Sequence, residues 1–228
     1  MSNIRGAELA AKRKSAAPVA AVKQAPRNAE KTRLKILAAA EAEFATKGLA
    51  GARVDTIAEE SGANKRMIYY YFNSKEDLYI AVLERAYTDM RTSERDLALD
   101  HLHPVEAIRR LVEFKFDYCI AHPNLIALLN GENMLNAEYL KQSTNLRDMH
   151  LSLAKTMGAI LDAGVEAGAI RSGINPLHLY ISISALSYFY FSNTPTLSAA
   201  FGHNLAAAAE RKTRRQHVVD VIMAYIRP

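Results

Sequence analysis

Hydrophobic residues recur at helical spacing along most of the chain, and short turn signals separate the segments that contain them. Ile36, Ala40 and Phe44 lie four residues apart, with Gly48 after them. This spacing puts the three side chains on one face of a helix, which we predict over Lys31 to Lys47. No segment alternates hydrophobic and polar residues over the length of a strand. The pattern therefore predicts an all-α fold.

A second, shorter helix follows the first. Val54, Ile57 and Ser61 occupy the i, i+3 and i+7 positions of one face, with Ala58 beside them, so this helix is expected to pack inward. Arg53 stands at its start, where a cation can face a phosphate together with the first backbone N–H groups. Helices one and two should therefore support the segment that follows.

That segment, GANKRMIYYYFNSKEDLYIAVL, runs from Gly62 to Leu83 and contains two helix starts close together. Gly62 is expected to end the second helix, and Asn64 can cap a third. Ser74 with Asp77 forms a capping-box pattern that opens a fourth. The second and third helices therefore form a predicted helix-turn-helix.

The third helix is aromatic and basic, and few of its side chains can be buried. Only Ile68 and Phe72 have the four-residue spacing of a buried stripe, so the other side chains face outward. Tyrosine rings gain nothing from water, whereas hydroxyls and cations together suit phosphates and base edges. We therefore predict a DNA-recognition helix, whose outward candidates are Lys65, Arg66, Met67, Tyr69, Tyr70 and Tyr71.

The position of each candidate along the helix predicts its role. A recognition helix enters the major groove by its N-terminal residues, so Lys65, Arg66 and Met67 are placed to face bases. The methionine could contact a thymine methyl. The alternative for the tyrosines is packing within a three-helix core, and it applies to Tyr71 more than to Tyr69 and Tyr70.

The rest of the chain predicts a larger helical unit. One helix is expected to begin at Pro104 and to be interrupted at His122 and Pro123, and Lys115 falls on its apolar stripe. Further helices are predicted over a broken stretch reaching Met134 and Leu135, over Leu146 to Ala167, from Pro176 onward, and over Thr213 to Ile226. We therefore expect residues 30–77 to form the DNA-binding domain and residues 78–228 a regulatory and dimerisation domain.

Positive charge is concentrated at the start of the chain. Residues 1–33 contain eight Lys or Arg against Glu8 and Glu30, so this lead alone exceeds the net charge of +5 for the whole chain. It is rich in alanine, is interrupted by proline and has no hydrophobic period, so residues 1–29 are predicted to be a disordered basic extension. The extension is either an arm that approaches DNA or a solvated tail.

Several classes of protein lack support in the sequence. It has no glycine-rich phosphate loop, no HExxH, no cysteine pair and no nucleophile elbow, so we expect neither an enzyme nor a cofactor. The seven histidines are scattered, which argues against a metal site. The single cysteine, Cys119, reads as a small core residue of a cytoplasmic protein. No stretch approaches the length of a membrane span.

From Thr32 to Leu83 the chain resembles the TetR family of transcriptional regulators. The matching stretches are TRLKILAAAEAEFATKG, GARVDTIAEESG and KRMIYYYFNSKEDL. The sequence departs from the family pattern at Ala52, where a threonine is common, and at Ala63 and Asn64, where valine and serine are usual. Arg66 and Met67 replace a small residue and a threonine. These departures leave the fold expectation intact, but no operator sequence can be carried over.

The resemblance implies contacts and an assembly. The positions of Tyr69, Tyr70 and Tyr71 carry base and phosphate contacts in the family, and Lys75 carries a backbone contact. Members dimerise through two C-terminal helices per chain and bind an inverted-repeat site in double-stranded DNA. Here the expected homodimer interface is Leu179, Ile183, Leu186, Val218, Val221, Ile222 and Tyr225, although burial within one subunit is the alternative.

The resemblance also implies a small-molecule effector inside the larger domain. Candidate lining residues are Phe114, Tyr118, Met134, Tyr188 and Tyr190, and core packing is the favoured alternative for each. Few charged residues interrupt this set, which favours a neutral or aromatic effector. The layout from SKEDLYIAVL through the HPN break and the INP turn is similar to the RutR subgroup, whose effectors are pyrimidines.

These expectations together describe a ligand-responsive repressor that binds a palindromic operator as a homodimer. Two alternatives from other classes stay open. One is an architectural protein that binds any duplex, and the other is a helical ligand-binding bundle without a DNA function. A gel shift separates the three classes of protein. A regulator prefers one palindrome, an architectural protein binds every duplex equally, and a ligand-binding bundle binds no DNA.

Overall fold

The structure is a computed structural model that describes residues 21–228, with side chains at all of these positions except 21–27, 144 and 146–154. Within that range it contains helices and no strand, which confirms the predicted all-α fold. The helices are α1 Ala21–Gly51, α2 Val54–Ser61, α3 Lys65–Phe72, α4 Lys75–Arg95, α5 Pro104–Ala121, α6 Pro123–Met134, α7 Thr144–Glu166, α8 Pro176–Phe201 and α9 Ala208–Ile226. Across the described residues no helix has both the length and the hydrophobicity needed to cross a membrane.

Helix α1 begins earlier than predicted. The helix was expected from Lys31, but the structure is helical from Ala21, so residues 21–29 are helical where we predicted a disordered extension. Charge and proline content suggested disorder, whereas alanine, lysine and glutamine in this stretch have high helix propensity. Residues 1–20 of the predicted extension lie outside the described residues. At its other end the helix is interrupted at Gly48, whose φ of 66° lies in the left-handed region.

The first four helices share one core, and local signals set their boundaries. Gly62 ends α2 in the left-handed conformation with φ 68°. The side chain of Asn64 accepts a hydrogen bond of 2.8 Å from the Met67 N–H, and the Ser74 hydroxyl accepts one of 2.9 Å from the Asp77 N–H. Both predicted caps are therefore confirmed. The core behind them contains Ile36, Phe44, Ile57, Ile68, Phe72 and Leu78.

The larger unit is built around α5, α7, α8 and α9. Its core contains Ile108, Leu111, Phe116, Ile183 and Val218, each fully or almost fully buried. The predicted starts at Pro104 and Pro176 and the break at His122 are confirmed. Helix α9 begins at Ala208, five residues earlier than predicted.

Two helices join the units. Helix α4 starts at the cap beside α3 and continues for 21 residues into the larger unit. Leu128 of α6 is 1 % exposed and belongs to the core of the first unit, although α6 follows the first helix of the larger unit in the chain. Arg85 of α4 also donates to the Leu34 carbonyl of α1 at 3.4 Å. A displacement of α4 or α6 is therefore transmitted to the helices that hold α3.

Removing the α4 cap should destabilise the protein. Ser74→Ala leaves the Asp77 N–H without its acceptor, so the free energy of unfolding should fall by about 1 kcal/mol. The matched control is Ser93→Ala, because Ser93 also lies on α4 and its hydroxyl only donates to the Asp89 carbonyl in the same helix. The control should change stability by less than about 0.5 kcal/mol in urea titrations at equal chain concentration. Equal losses in the two variants would contradict a role for the cap.

Candidate DNA-binding surface and interior cavity

Helix α3 presents a polar and aromatic face to solvent. Ile68 and Phe72 are 1 % and 4 % exposed and hold the helix against its neighbours, which leaves the intervening residues outside. Tyr70 is 81 % exposed and Tyr69 41 %. Lys65 and Arg66 are exposed at the N-terminal end. The outward placement predicted for these four side chains agrees with the structure.

Two of the predicted contact residues are less exposed. Met67 is half-buried, and so is Tyr71, which packs against the core of the first unit. The Tyr71 ring lies edge-on to Tyr70, with centroids 5.4 Å apart. Tyr71 was predicted to face outward with the other tyrosines, and the structure instead supports the packing alternative for part of its ring. Tyr71 directly precedes Phe72 in α3, so its side chain lies at the edge of the face that Ile68 and Phe72 bury.

The lysines of this surface already have partners. Lys65 Nζ lies 3.0 Å from an Asp55 carboxylate oxygen on α2, and Lys75 Nζ donates to the Ala50 carbonyl at 3.4 Å. Arg53 is exposed at the start of α2, and its backbone N–H donates to Glu43 at 3.0 Å. The side chains of α3, the start of α2 and the start of α4 thus form one surface of cations, hydroxyls and helix N-termini. Such a surface is suited to phosphates and base edges.

A cavity of about 350 Å³ lies in the larger unit, between α4, α5, α6 and α8. Of the five residues predicted to line it, Tyr118 and Tyr188 do so. Phe114 is half-buried and packs against Tyr118 at 5.4 Å between ring centroids, outside the lining. The walls of the cavity are mostly apolar and aromatic, as expected of a small-molecule site.

Two predicted lining residues lie elsewhere. Met134 is 85 % exposed at the end of α6, because the helix stops there. Tyr190 is buried in the core of the larger unit, and its hydroxyl donates to the Leu205 carbonyl at 2.5 Å. Aromatic residues at helical spacing fit a core and a cavity equally well, so the sequence could not separate them.

The cavity also contains charged residues that were not predicted as a site. Arg91 of α4 and Lys115 of α5 both line it and both donate to the Tyr180 hydroxyl, at 2.7 Å and 2.6 Å. Arg91 also donates to Glu94, and Lys115 lies 3.5 Å from the same carboxylate oxygen. The sequence did contain a signal, because Lys115 falls on the apolar stripe of its helix and must therefore be buried.

Burial keeps three other titratable groups of the lining neutral near pH 7. Desolvation raises the pKa of the Tyr87 hydroxyl to about 12, and that of Tyr118 to about 12. Desolvation likewise raises the pKa of the Cys119 thiol to about 11, so the thiol is protonated near neutral pH. For Arg91, desolvation alone would lower the pKa, but Tyr180 and Glu94 outweigh it and raise the pKa. The cations are thus the charged groups that reach the cavity.

The predicted dimer interface needs correction. Leu179, Ile183, Val218 and Ile222 are at most 2 % exposed and pack in the core of their own chain, so they cannot contact a second copy. Leu186 is half-buried. Val221 and Tyr225 are 39 % and 48 % exposed and stay candidates. Helix α8 is apolar on nearly all sides, and the sequence therefore could not show which side faces inward.

Other large apolar side chains of α8 are exposed instead. Leu177, Ile181 and Phe189 are 50 % to 55 % exposed on the isolated chain. Together with Val221 and Tyr225 of α9 they give the two C-terminal helices an unusually apolar exterior. Large exposed apolar surface typically marks a site of protein association.

Comparison with known proteins agrees with both parts of the structure. The model of bacterial regulatory proteins, tetR family, matches residues 36–82. The model of the tetracyclin repressor-like C-terminal domain matches residues 104–222.

Individual relatives match over most of their length. The HTH-type transcriptional repressor NicS of Pseudomonas putida is 39 % identical over 178 residues, which cover 78 % of this chain and 84 % of that protein. The HTH-type transcriptional regulator RutR of Escherichia coli is 30 % identical, over 85 % of this chain and 89 % of that protein. The solved structure of a putative transcriptional regulator, SCO4942 from Streptomyces coelicolor, superposes with a TM-score of 0.66 at 27 % identity. It covers 86 % of this chain and 99 % of that one.

Proposed function

The chain belongs to the TetR family of bacterial helix-turn-helix transcriptional regulators, and we propose that it represses transcription from an inverted-repeat operator until an effector fills its cavity. Members of this family bind operator DNA as dimers, respond to small molecules and are not enzymes. The observation that carries the proposal is the exposed face of α3, where Arg66, Tyr69 and Tyr70 project from a helix that two buried residues and two caps hold in place. We place the protein in the cytoplasm, with its DNA.

The contacts of this surface divide by position along α3. Arg66 lies in the first turn, which enters the major groove in this motif, so it reads bases. Tyr69 and Tyr70 lie further along α3, Lys75 lies at the start of α4, and all three bind phosphates. Lys65 binds phosphate only after its ion pair with Asp55 breaks. That ion pair is exposed to solvent and therefore weak. Half-buried Met67 and Tyr71 contribute less through new contacts than through their packing.

Dimerisation uses the exposed apolar side chains of α8 and α9. The proposed interface is Leu177, Ile181, Phe189, Val221 and Tyr225, which are all more than a third exposed on the isolated chain. Burying these side chains against a second copy removes apolar surface from water, which favours association. A twofold axis through this face fixes the separation of the two recognition helices.

Effector binding acts on α3 through the two joining helices. Helix α4 carries Arg91 at the cavity and the Ser74 cap beside α3 at its other end. Helix α6 carries Leu125 and Ile126 in the cavity lining and Leu128 in the core of the DNA-binding unit. An effector that favours one arrangement of these helices changes the distance between the recognition helices. A tenfold loss of operator affinity needs about 1.4 kcal/mol of differential binding.

The operator should be an inverted repeat. Two recognition helices fixed by one twofold axis meet successive major grooves, so the half-sites should lie about 10 base pairs apart. Selection of bound duplexes from a random library, followed by sequencing, measures this directly. A single asymmetric motif would contradict the dimeric arrangement. Equal recovery of all sequences would instead indicate an architectural protein, and no recovery would leave a ligand-binding bundle.

Substitutions on the DNA-binding surface should separate base contacts from phosphate contacts. Arg66→Ala should weaken binding to the selected operator by about 1–3 kcal/mol and relax the preference at one position of each half-site. Lys75→Ala should weaken binding to all sequences. It should also reduce the slope of the logarithm of the binding constant against the logarithm of the salt concentration by about one for each half-site. The control is Lys155→Ala, an exposed lysine of α7, which should bind like the parent. Unchanged sequence preference in Arg66→Ala, measured by repeating the selection, would rule out base contact by Arg66.

A charge on the proposed interface should separate the two subunits. Val221→Asp places a carboxylate at a position that is 39 % exposed in the single chain, so the fold should be preserved. The dimer, in contrast, must bury this unpaired charge. The expected products are monomers in light scattering and a large loss of operator affinity. The matched control is Val165→Asp, because Val165 of α7 is 40 % exposed outside the proposed interface. Dissociation in both variants, or in neither, would place the interface elsewhere.

A further inference from the structure

A cluster of two buried cations and one buried carboxylate lies at the cavity. The other buried carboxylate among the described residues, Glu132 of α6, is not part of the lining, and it accepts a hydrogen bond from the Leu140 N–H. The side chains of Arg91, Lys115 and Glu94 are 8 %, 6 % and 4 % exposed. Among the described residues this group therefore holds two cations and one carboxylate, which leaves one positive charge without a counter-charge. Burying a charge without a counter-charge is costly, so such a group is seldom kept in a core for stability alone.

The positive charges face the cavity, and the negative charge does not. Arg91 and Lys115 line the cavity, whereas Glu94 is absent from the lining among the described residues. Tyr180 also lines it and accepts hydrogen bonds from both cations. Since both lone pairs of its oxygen are then engaged, the Tyr180 hydroxyl has only its proton left to offer. The Tyr180 proton can therefore be donated to a ligand. Lys115 can also donate, because its hydrogen bond to Met90 Sδ at 3.8 Å is weak and a carboxylate can replace it.

Two further buried donors of the lining lack a hydrogen-bond partner among the described residues. One is the Nε–H of Arg91; Glu94 Oε1 is also unpaired, but Glu94 is not in the lining. The Ser184 hydroxyl, also in the lining, is buried and has no partner either. Buried polar groups are nearly always hydrogen-bonded, so unpaired donors on a cavity wall indicate that an acceptor completes them.

We propose that the effector is a small organic carboxylate, whose carboxylate group binds Arg91, Lys115 and the Tyr180 hydroxyl. This proposal rests on the proposed function, in which the cavity is the effector site. A single carboxylate matches the one positive charge that Glu94 leaves unpaired within this cluster, whereas a phosphate dianion would exceed it. The planar arginine fork suits a carboxylate, and the body of the acid packs against apolar residues such as Leu125 and Leu129. The sequence favoured a neutral or aromatic effector, because few charged residues interrupt the predicted lining, and Arg91 was not part of that prediction.

Matched acids and amides test the charge preference without DNA. The purified full-length protein is heated with benzoate, phenylacetate or hexanoate, and separately with benzamide, phenylacetamide or hexanamide at the same concentration and ionic strength. Each amide has nearly the shape of its acid but no charge. At least one acid should raise the melting temperature more than its amide does, because it binds the folded state more tightly. If no acid exceeds its amide, the proposal is overturned.

Two substitutions in this cluster should lower the affinity for the best acid, and a third should raise it. Lys115→Met and Tyr180→Phe each remove a donor to the carboxylate and should weaken acid binding about tenfold or more, with little change for the amide. Glu94→Gln removes a nearby negative charge and should strengthen acid binding. Lys212→Met, at an exposed lysine of α9, is the control and should bind acid and amide like the parent.

The outcomes distinguish this proposal from general damage to the protein. A purely structural role for the cluster would weaken acid and amide binding together in all three cavity variants. That result, or retained acid preference in Lys115→Met and Tyr180→Phe, would overturn the proposal. Should Lys115→Met fail to fold, the opposite changes expected for Tyr180→Phe and Glu94→Gln still decide it. Operator selection without any acid tests the regulator separately, so either proposal can fail while the other stands.

Discussion

The burial of Ile68 and Phe72 is the contact on which DNA recognition depends. An isolated helix of eight residues is not stable in water, so α3 exists only because these two side chains pack into the first core and because Asn64 caps its start. The same two side chains fix the rotation of the helix and leave Arg66, Tyr69 and Tyr70 outside. Orientation and stability of the recognition helix therefore have one cause.

The cavity differs from the apolar core behind α3, because polar groups that are costly to bury lie at its wall. Arg91 lies on α4, the helix that begins at the Ser74 cap beside α3, and it shares the Tyr180 hydroxyl with Lys115 of α5. An interior built for stability alone would place apolar residues at both positions. In the mechanism that we propose, a bound carboxylate relieves the cost of these charges, and the free energy gained favours one position of α4.

Most local signals were read correctly from the sequence, apart from the starts of α1 and α9, and long-range ones were not. The caps at Asn64 and Ser74, the left-handed Gly62 and the proline starts depend on neighbouring residues, and all of them were predictable. The inward side of α8 depends on which helices surround it, and a helix apolar on all sides does not encode that choice. Leu179 and Ile183 were therefore misassigned to a dimer interface, and Met134, the last residue of α6, to a cavity that other residues of the same helix line. Lys115 was predictable as buried, but its partners Arg91 and Tyr180 come from distant segments.

The position of Leu128 limits the modularity of this protein. A side chain from α6 completes the core of the DNA-binding unit, and Leu128 is 1 % exposed there. A fragment that ends after α4 would lack this side chain and leave a void of leucine size, which costs a few kcal/mol in a core. Chimeras that join this DNA-binding unit to the effector domain of another regulator must therefore supply an apolar residue from the incoming α6. Recombination between such regulators is constrained by that one contact, even where the boundary in the sequence looks like a free linker.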